Sequence, residues 1–352
     1  MISPDQMLAN PTLVAGVLTA GLFPLLLTPM LTRWLIAHGQ VDRPDTRRTH
    51  LGEIPRGGGV LIAAGLLAGL AMIWPLAEIQ SQQGLVLCGL IISLVVLGAS
   101  DDAGGIGVGL RFAVQVIIAL LVIVLSDGVS SIRIWAQAEW SQIWVLSTLA
   151  LISFLWLVNL HNFMDGSDGL AAQQAIWSAL AYAAVFYFNQ QSFEFLVALL
   201  LVASSCGFLI WNRPRARIFL GDSGSLVLGG LIAWFAIRAL QTDSASLAIC
   251  ILISSVFVVD ATATLLTRLV RGERWYTPHR SHAYQRLIDQ GWSHARVLAT
   301  YTGLNVLIVL PALFFSLARP ALDGSLALGC VGVLIIGWWR IQSAYKPKEK
   351  GE

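Results

Sequence analysis

Residues 145–171 read VLSTLALISFLWLVNLHNFMDGSDGLA: an apolar run that ends on two aspartates, Asp165 and Asp168, each followed by a glycine. In hydrocarbon every backbone N–H and C=O must be satisfied within the segment, so a run of this kind is a helix. About 20 residues suffice to cross the ~30 Å core of a bilayer. Carboxylates at the mouth of such a helix are costly to keep, and an ionisable residue at membrane depth points to function.

Working outward, the chain has 352 residues, 56% hydrophobic and 12% charged, with a mean hydropathy of +0.73. Soluble domains carry about 25% charged residues. The composition therefore describes an integral membrane protein, for which no nucleic-acid partner is expected. No Lys or Arg precedes the first apolar stretch and no small-residue cleavage site follows it, so a removable signal peptide is not expected. Cys88, Cys206, Cys250 and Cys330 lie in apolar runs without CxxC spacing and read as small buried hydrophobes.

A window of about 20 residues predicts eleven helices, near 12–37, 57–77, 84–100, 110–126, 143–161, 170–188, 193–211, 225–240, 247–266, 297–318 and 325–341. The predicted class is all-α: one polytopic helix bundle over residues 1–352. With the N-terminus outside, the inner segments collect Arg43, Arg47, Arg48, Arg56, Arg111, Arg213, Arg215, Arg217, Arg268, Arg271, Arg274, Arg280, Arg286, Arg296, Lys346, Lys348 and Lys350. The opposite side keeps Arg133 and Arg319, with Arg238 nearby. By the positive-inside rule this predicts a multi-pass plasma (inner) membrane protein with its C-terminus in the cytoplasm.

That topology gathers the polar motifs on the cytoplasmic face. Asp101 and Asp102 close the third span, Asp165 and Asp168 link the fifth to the sixth, and Asp222 in FLGDSGS opens the eighth. Singly, each aspartate reads as a cap or turn residue, with Ser223 and Ser225 available to cap around Asp222. Together they converge on one face. Asp165 and Asp168 would share a helix face if the helix continues through them; Asp101 and Asp102 diverge by about 100°, so at most one is expected to face a given site. Clustered carboxylates without intervening lysines suit a divalent cation, and oxygen-only ligands favour Mg²⁺ or Mn²⁺. Magnesium takes much of its shell from substrate phosphates and water, so the substrate is expected to be phosphorylated. Arg217 in RPRAR and the arginines after the ninth span would meet phosphate oxygens. Thr277–Pro278 marks a helix start and Gly291 a stop, so that His279, His282 and Arg286 fall at i, i+3 and i+7 on one basic face.

SDD, NLHNFMDGSDGLA, NRPRARIFLGDSGS and RGERWYTPHRSHAYQRL, in this order, resemble the polyprenyl-phosphate N-acetylhexosamine-1-phosphate transferase family (glycosyltransferase family 4). VDRPDTRRTHLGEIPRGGG between the first two spans extends the likeness to nearly the whole chain. The family includes the muramoyl-pentapeptide transferase of peptidoglycan synthesis and the enzymes that start common antigen and O-antigen. The resemblance implies transfer of an N-acetylated amino-sugar 1-phosphate from a UDP-sugar to undecaprenyl phosphate, with UMP released. It implies Asp222 as the Mg²⁺ ligand and Phe219 as the aromatic against uracil. Asp101, Asp102, Asp165, Asp168 and His282 take the catalytic positions, and Asn162 the polar position ahead of the paired aspartates. Arg217, His279, Arg280 and Arg286 complete the expected substrate-binding set. Tyr284 and Gln285 stand where many relatives have histidines, and HRSHAYQ looks closer to O-antigen initiating members. Arg215 stands where a proline is usual. A secondary transporter of an anionic or phosphorylated solute is the alternative, and it would hold its charges near the bilayer midplane. The sequence is compatible with a homodimer and specifies no oligomeric state.

Overall fold

A computed structural model describes residues 10–42, 53–74, 81–136, 138–274 and 279–345, with Pro4 and Thr277. Residues 75–77 of the second predicted span, Pro278, and the charges Arg43, Arg47, Arg48, Lys346, Lys348 and Lys350 lie outside the described residues.

The chain is a helix bundle. Its helices are α1 (Pro11–Ala37), α2 (Gly59–Ile73), α3 (Ser81–Gly104), α4 (Val108–Leu125), α5 (Ile143–Phe163), α6 (Leu170–Phe188), α7 (Ser192–Asn212), α8 (Asp222–Gln241), α9 (Leu247–Val270), α10 (Ala283–Asp289), α11 (His294–Leu304), α12 (Leu310–Ala318) and α13 (Asp323–Ala344). A π-helical turn, Asn305–Val309, joins α11 to α12 in one span. Among the described residues nine helices are long and apolar enough to cross a membrane. The other two predicted spans are helices as well: α2 has only 15 residues, and α6 is diluted by Gln173 and Gln174. Those amides are buried rather than exposed. Thr302 donates to Gln173 Oε1 at 3.0 Å, and Asn305 Nδ2 donates to Gln174 Oε1 at 2.8 Å, which joins α6 to the π turn.

The bundle is built around α8, which is buried along nearly its whole length. Small residues let its neighbours close in, as expected where lipid supplies no hydrophobic drive between helices. A Cβ on Gly59 of α2 would collide with the backbone of Gly224. Around this axis α1, α4, α5 and α13 expose Leu, Val and Ile side chains, such as Leu26, Val124, Ile152 and Leu328, the surface a membrane covers.

Two polar ends result. At the far end of α8, Gln241 Nε2 donates to Ser126 O and Gly128 O. A hairpin of β3 (Ile132–Trp135) and β4 (Ala138–Trp140) packs there, pinned by Arg133 on Asp243 and by buried Asp323, which accepts from Ala136 N and Ser246 Oγ. The near end begins at Asp222. Twenty residues of α8 separate the two ends, which is about 30 Å of helix. A smaller ribbon, β1 (Val41–Asp42) with β2 (Ile54–Pro55), lies at the near end.

Candidate active site

The first turn of a helix leaves backbone N–H groups unsatisfied and carries partial positive charge, so it calls for an anionic acceptor. For α8 that acceptor comes from another helix. The Asp102 carboxylate takes Asp222 N at 2.9 Å and Ser223 N at 3.0 Å, so neither Ser223 nor Ser225 caps the helix. Gly221, at φ 74°, makes the approach feasible: a Cβ there would lie 2.5 Å from Asp102 Oδ2.

The Asp222 side chain is held separately. Arg56 binds Oδ1 through Nη2 while its Nε sits 2.9 Å from Asp102 Oδ1. Arg111 Nη1 lies 2.9 Å from Asp222 Oδ2 and 2.7 Å from Asp101 Oδ2. Asp101 also accepts from Ile106 N at 2.6 Å. Thus Asp102 reaches Asp222 directly and Asp101 joins through Arg111, so divergence on α3 does not remove either from the network. Arg56 is delivered by a backbone seam: Gly58 N donates to Phe219 O at 2.9 Å, Gly59 N to Leu220 O at 2.8 Å, and Phe219 N to Pro55 O at 2.8 Å.

The expectation of a shared helix face for Asp165 and Asp168 is corrected. α5 stops at Phe163, and residues 165–169 form a turn that Gly169 closes at φ 73°. The turn sends the two carboxylates different ways. Asp165 opens into the cavity, where enclosure by protein drives its carboxyl well above the usual carboxylate range, against the pull of Arg56 and with the charges of Asp222 and Asp102 adding to it. Asp168 accepts from Ala216 N at 3.1 Å and lies 3.3 Å from His294 Nδ1, while its own N–H donates to that nitrogen at 3.1 Å. Asn212 Oδ1 accepts from Gly169 N at 3.0 Å, and Asn162 Nδ2 donates to Ser225 Oγ at 3.1 Å.

The basic segment also differs from the expected helix face. α10 begins at Ala283, with His282 as its N-cap and His279 before it. The start is set by Asp260 near the middle of α9, whose carboxylate accepts from Ala283 N at 2.7 Å, Tyr284 N at 3.4 Å and Tyr301 Oη at 2.5 Å. His282 is buried, 4.9 Å from the His279 ring and 6.4 Å from that of Phe163. Burial lowers the pKa of both histidines, that of His279 to about 4 with help from His282 and Arg268. Tyr284 Oη donates to Phe163 O at 3.0 Å. Arg286 points elsewhere, 4.5 Å over the Tyr345 ring. Arg217 is exposed, 5.5 Å over Trp211.

These elements enclose a cavity of about 310 Å³. Of the residues expected from sequence, Asn162, Asp165, Asp168, Phe219, Asp222 and Arg280 line it. Asp101 and Asp102 stand behind Asp222, and His279, His282, Arg217 and Arg286 are outside the lining. Arg56, Asn212, Gln285 and His294 line it as well. Arg56 and Arg111 were hidden among the charges that the positive-inside rule explains. Asp260, alone in SSVFVVDATATLL, carried a readable signal as an intramembrane carboxylate.

Among the described residues no group of three or more His, Cys, Asp or Glu side chains is arranged to hold a metal ion. The donor set nevertheless suits a hard cation that takes most of its ligands from substrate and water. Asp165 and Asp222 both open into the cavity, and with Asp101 and Asp102 they set four carboxylates against the guanidinium groups of Arg56 and Arg111.

A polytopic bundle with carboxylates and guanidinium groups crowded at one end of its helices is an integral membrane protein with a charged cavity at one end. Residues 84–240 match the family model described as Glycosyl transferase family 4, and the curated proteins to which the chain is similar support that family. It is 28% identical to the probable undecaprenyl-phosphate N-acetylglucosaminyl 1-phosphate transferase of Bacillus subtilis (strain 168), over 92% of this chain and 89% of the relative. It is 27% identical to the phospho-N-acetylmuramoyl-pentapeptide-transferase of Geobacillus kaustophilus (strain HTA426), over 88% and 98%. With the undecaprenyl-phosphate alpha-N-acetylglucosaminyl 1-phosphate transferase of Escherichia coli (strain K12) it shares 25% identity, over 75% and 73%.

Proposed function

We propose that this chain transfers an N-acetylated amino-sugar 1-phosphate from a UDP-sugar to undecaprenyl phosphate, releasing UMP and initiating a lipid-linked O-antigen or other cell-envelope polysaccharide. The observation that carries the reading is the convergence of Asp165, Asp222 and Arg56 on one cavity at the end of the bundle. The positive-inside asymmetry supports a cytoplasmic location for that end, where nucleotide sugars are found. The printed names of the relatives supply the reaction class.

In the reaction an oxygen of the lipid phosphate attacks the β-phosphorus of the UDP-sugar in line. A new P–O bond forms, the bond from that phosphorus to the bridging oxygen breaks, and UMP leaves with the electron pair. Several negative charges must be brought together, so neutralisation and positioning are the main tasks. Arg56 and Arg111 supply fixed positive charge next to Asp222. Phe219, on the cavity wall, offers a ring for the uracil, and Arg280, on the same wall, a guanidinium for phosphate. Asp165, whose carboxyl is driven above the usual carboxylate range by burial, lies on the same cavity wall within reach of a bound phosphate. Asp222, with Asp165 beside it, would hold Mg²⁺ (or Mn²⁺), which when bound stabilises charge on the diphosphate oxygens.

Purified protein with a UDP-amino sugar, polyprenyl phosphate and Mg²⁺ should release UMP, and because one phosphoanhydride replaces another, added UMP should regenerate UDP-sugar from the lipid product. UDP as the primary nucleotide product, without UMP-dependent reversal, would refute the mechanism.

A further inference from the structure

Both oxygens of the Asp222 carboxylate are taken by cations of the chain itself: Oδ1 by Arg56 Nη2, and Oδ2 by Arg111 Nη1 at 2.9 Å. A hard divalent cation seeks the same oxygens, and guanidinium groups at hydrogen-bond distance on both of them oppose its charge. Withdrawal of one arginine relieves that repulsion. The two are not equivalent. Arg111 is held from behind by Asp101 at 2.7 Å, and its side chain is 19% exposed. Arg56 springs from the loop between β2 and α2, lines the cavity, and has a side chain 40% exposed. Its Nε also lies 2.9 Å from Asp102, so Arg56 keeps one carboxylate partner when its contact with Asp222 is lost.

We propose that Arg56 is an exchangeable counter-ion: it neutralises Asp222 until a divalent cation takes that carboxylate, and its freed guanidinium edge then turns to the diphosphate of the nucleotide sugar. This rests on the reading above, in which Asp222 is the metal ligand and a UDP-sugar the donor. The exchange conserves good electrostatics at each stage. Asp222 trades a monovalent partner for a divalent one. Arg56 trades a carboxylate for phosphate oxygens, which match its planar fork equally well. Metal and sugar nucleotide then favour each other's binding, since each takes one half of an ion pair that would otherwise have to be broken at a net cost.

The test is to titrate full-length, detergent-solubilised wild type, Arg56→Gln, Arg56→Lys and Asp222→Asn with Mn²⁺, followed by electron paramagnetic resonance of the free ion. UDP-N-acetylglucosamine is titrated separately in the presence of Mg²⁺. Arg56→Gln should bind Mn²⁺ about tenfold tighter than wild type, equivalent to 1.4 kcal/mol, and the sugar nucleotide at least about tenfold more weakly. Arg56→Lys keeps the charge but cannot span Asp102 and Asp222, and should fall between the two on both measures. A merely structural arginine would weaken both affinities together. Mn²⁺ affinity at or below wild type in a folded Arg56→Gln protein overturns the proposal, and if that variant does not accumulate the same criterion applies to Arg56→Lys. Wild type that binds no Mn²⁺, or Asp222→Asn that binds it as tightly as wild type, overturns the assignment of Asp222 itself and the proposal with it.

Discussion

Asp102 and Asp222 share one network, yet their removal should have opposite signatures. Asp102→Ala strips the acceptor from two backbone donors, Asp222 N and Ser223 N, at a site where the Asp102 side chain is only 6% exposed. An orphaned buried donor costs about 1–3 kcal/mol, and loss of a helix cap about 0.5–2 kcal/mol. Relief from burying a charge returns part of this, which leaves a net loss of roughly 2–4 kcal/mol. At about 2 °C per kcal/mol for a chain of this size, the apparent Tm should fall by roughly 4–8 °C. Intrinsic tryptophan fluorescence of the detergent-solubilised protein reads this directly, alongside turnover. Asp222→Asn should abolish turnover with little change in Tm, because its side chain is held by side chains alone. An Asp102→Ala protein that melts with wild type while losing turnover would show that Asp102 acts in the chemistry and not as the cap of α8.

Asp165 gives a pH signature. Its folded-state pKa is raised, so the stability tied to this carboxyl is intact below the ordinary carboxylate value and is lost as pH rises through the raised one. Asp165→Asn removes that loss: it should melt above wild type at neutral pH, with the difference closing near pH ~4, while activity falls. A lower Tm at both pH values would mean that Asp165 is a structural turn residue. Arg215 sits at φ 49°, a left-handed conformation that a non-glycine residue occupies at a cost of roughly 1–2 kcal/mol. Arg215→Gly should therefore match or exceed wild-type stability. Arg215→Pro cannot adopt this φ, and it should release Ala216 N from Asp168 and cost about 3 kcal/mol or more. Equal melting of the two variants would contradict the backbone argument.

The spans were legible because lipid leaves so few solutions: a long apolar run is a helix whatever its neighbours do. Even α2 and α6 were placed, the first despite its length and the second despite two glutamines that find partners on α11 and the π turn. What stayed hidden depends on adjacency that no spacing encodes. The helical reading of DGSDG assumed local continuity, but α5 stops at Phe163 and Gly169 closes the turn that follows. The HRSH segment looked like the start of a helix because of Thr277–Pro278. Its actual start is fixed by Asp260, more than twenty positions earlier in the chain.

The Asp260 junction also bears on how the protein is made. α9 leaves the ribosome carrying a lone carboxylate in its middle, at an insertion cost of about 2.5–3.5 kcal/mol that its other residues can offset. The partners of that carboxylate are encoded later, and Tyr301 lies 41 positions downstream. At 5–20 residues per second, synthesis reaches Tyr301 about 2–8 s afterwards. Until then the Asp260 carboxylate lacks the Tyr301 hydroxyl, although Ala283 N and Tyr284 N are already encoded. A nascent chain arrested before Tyr301 would contain α9 and α10 but lack the hydroxyl that completes the Asp260 junction between them.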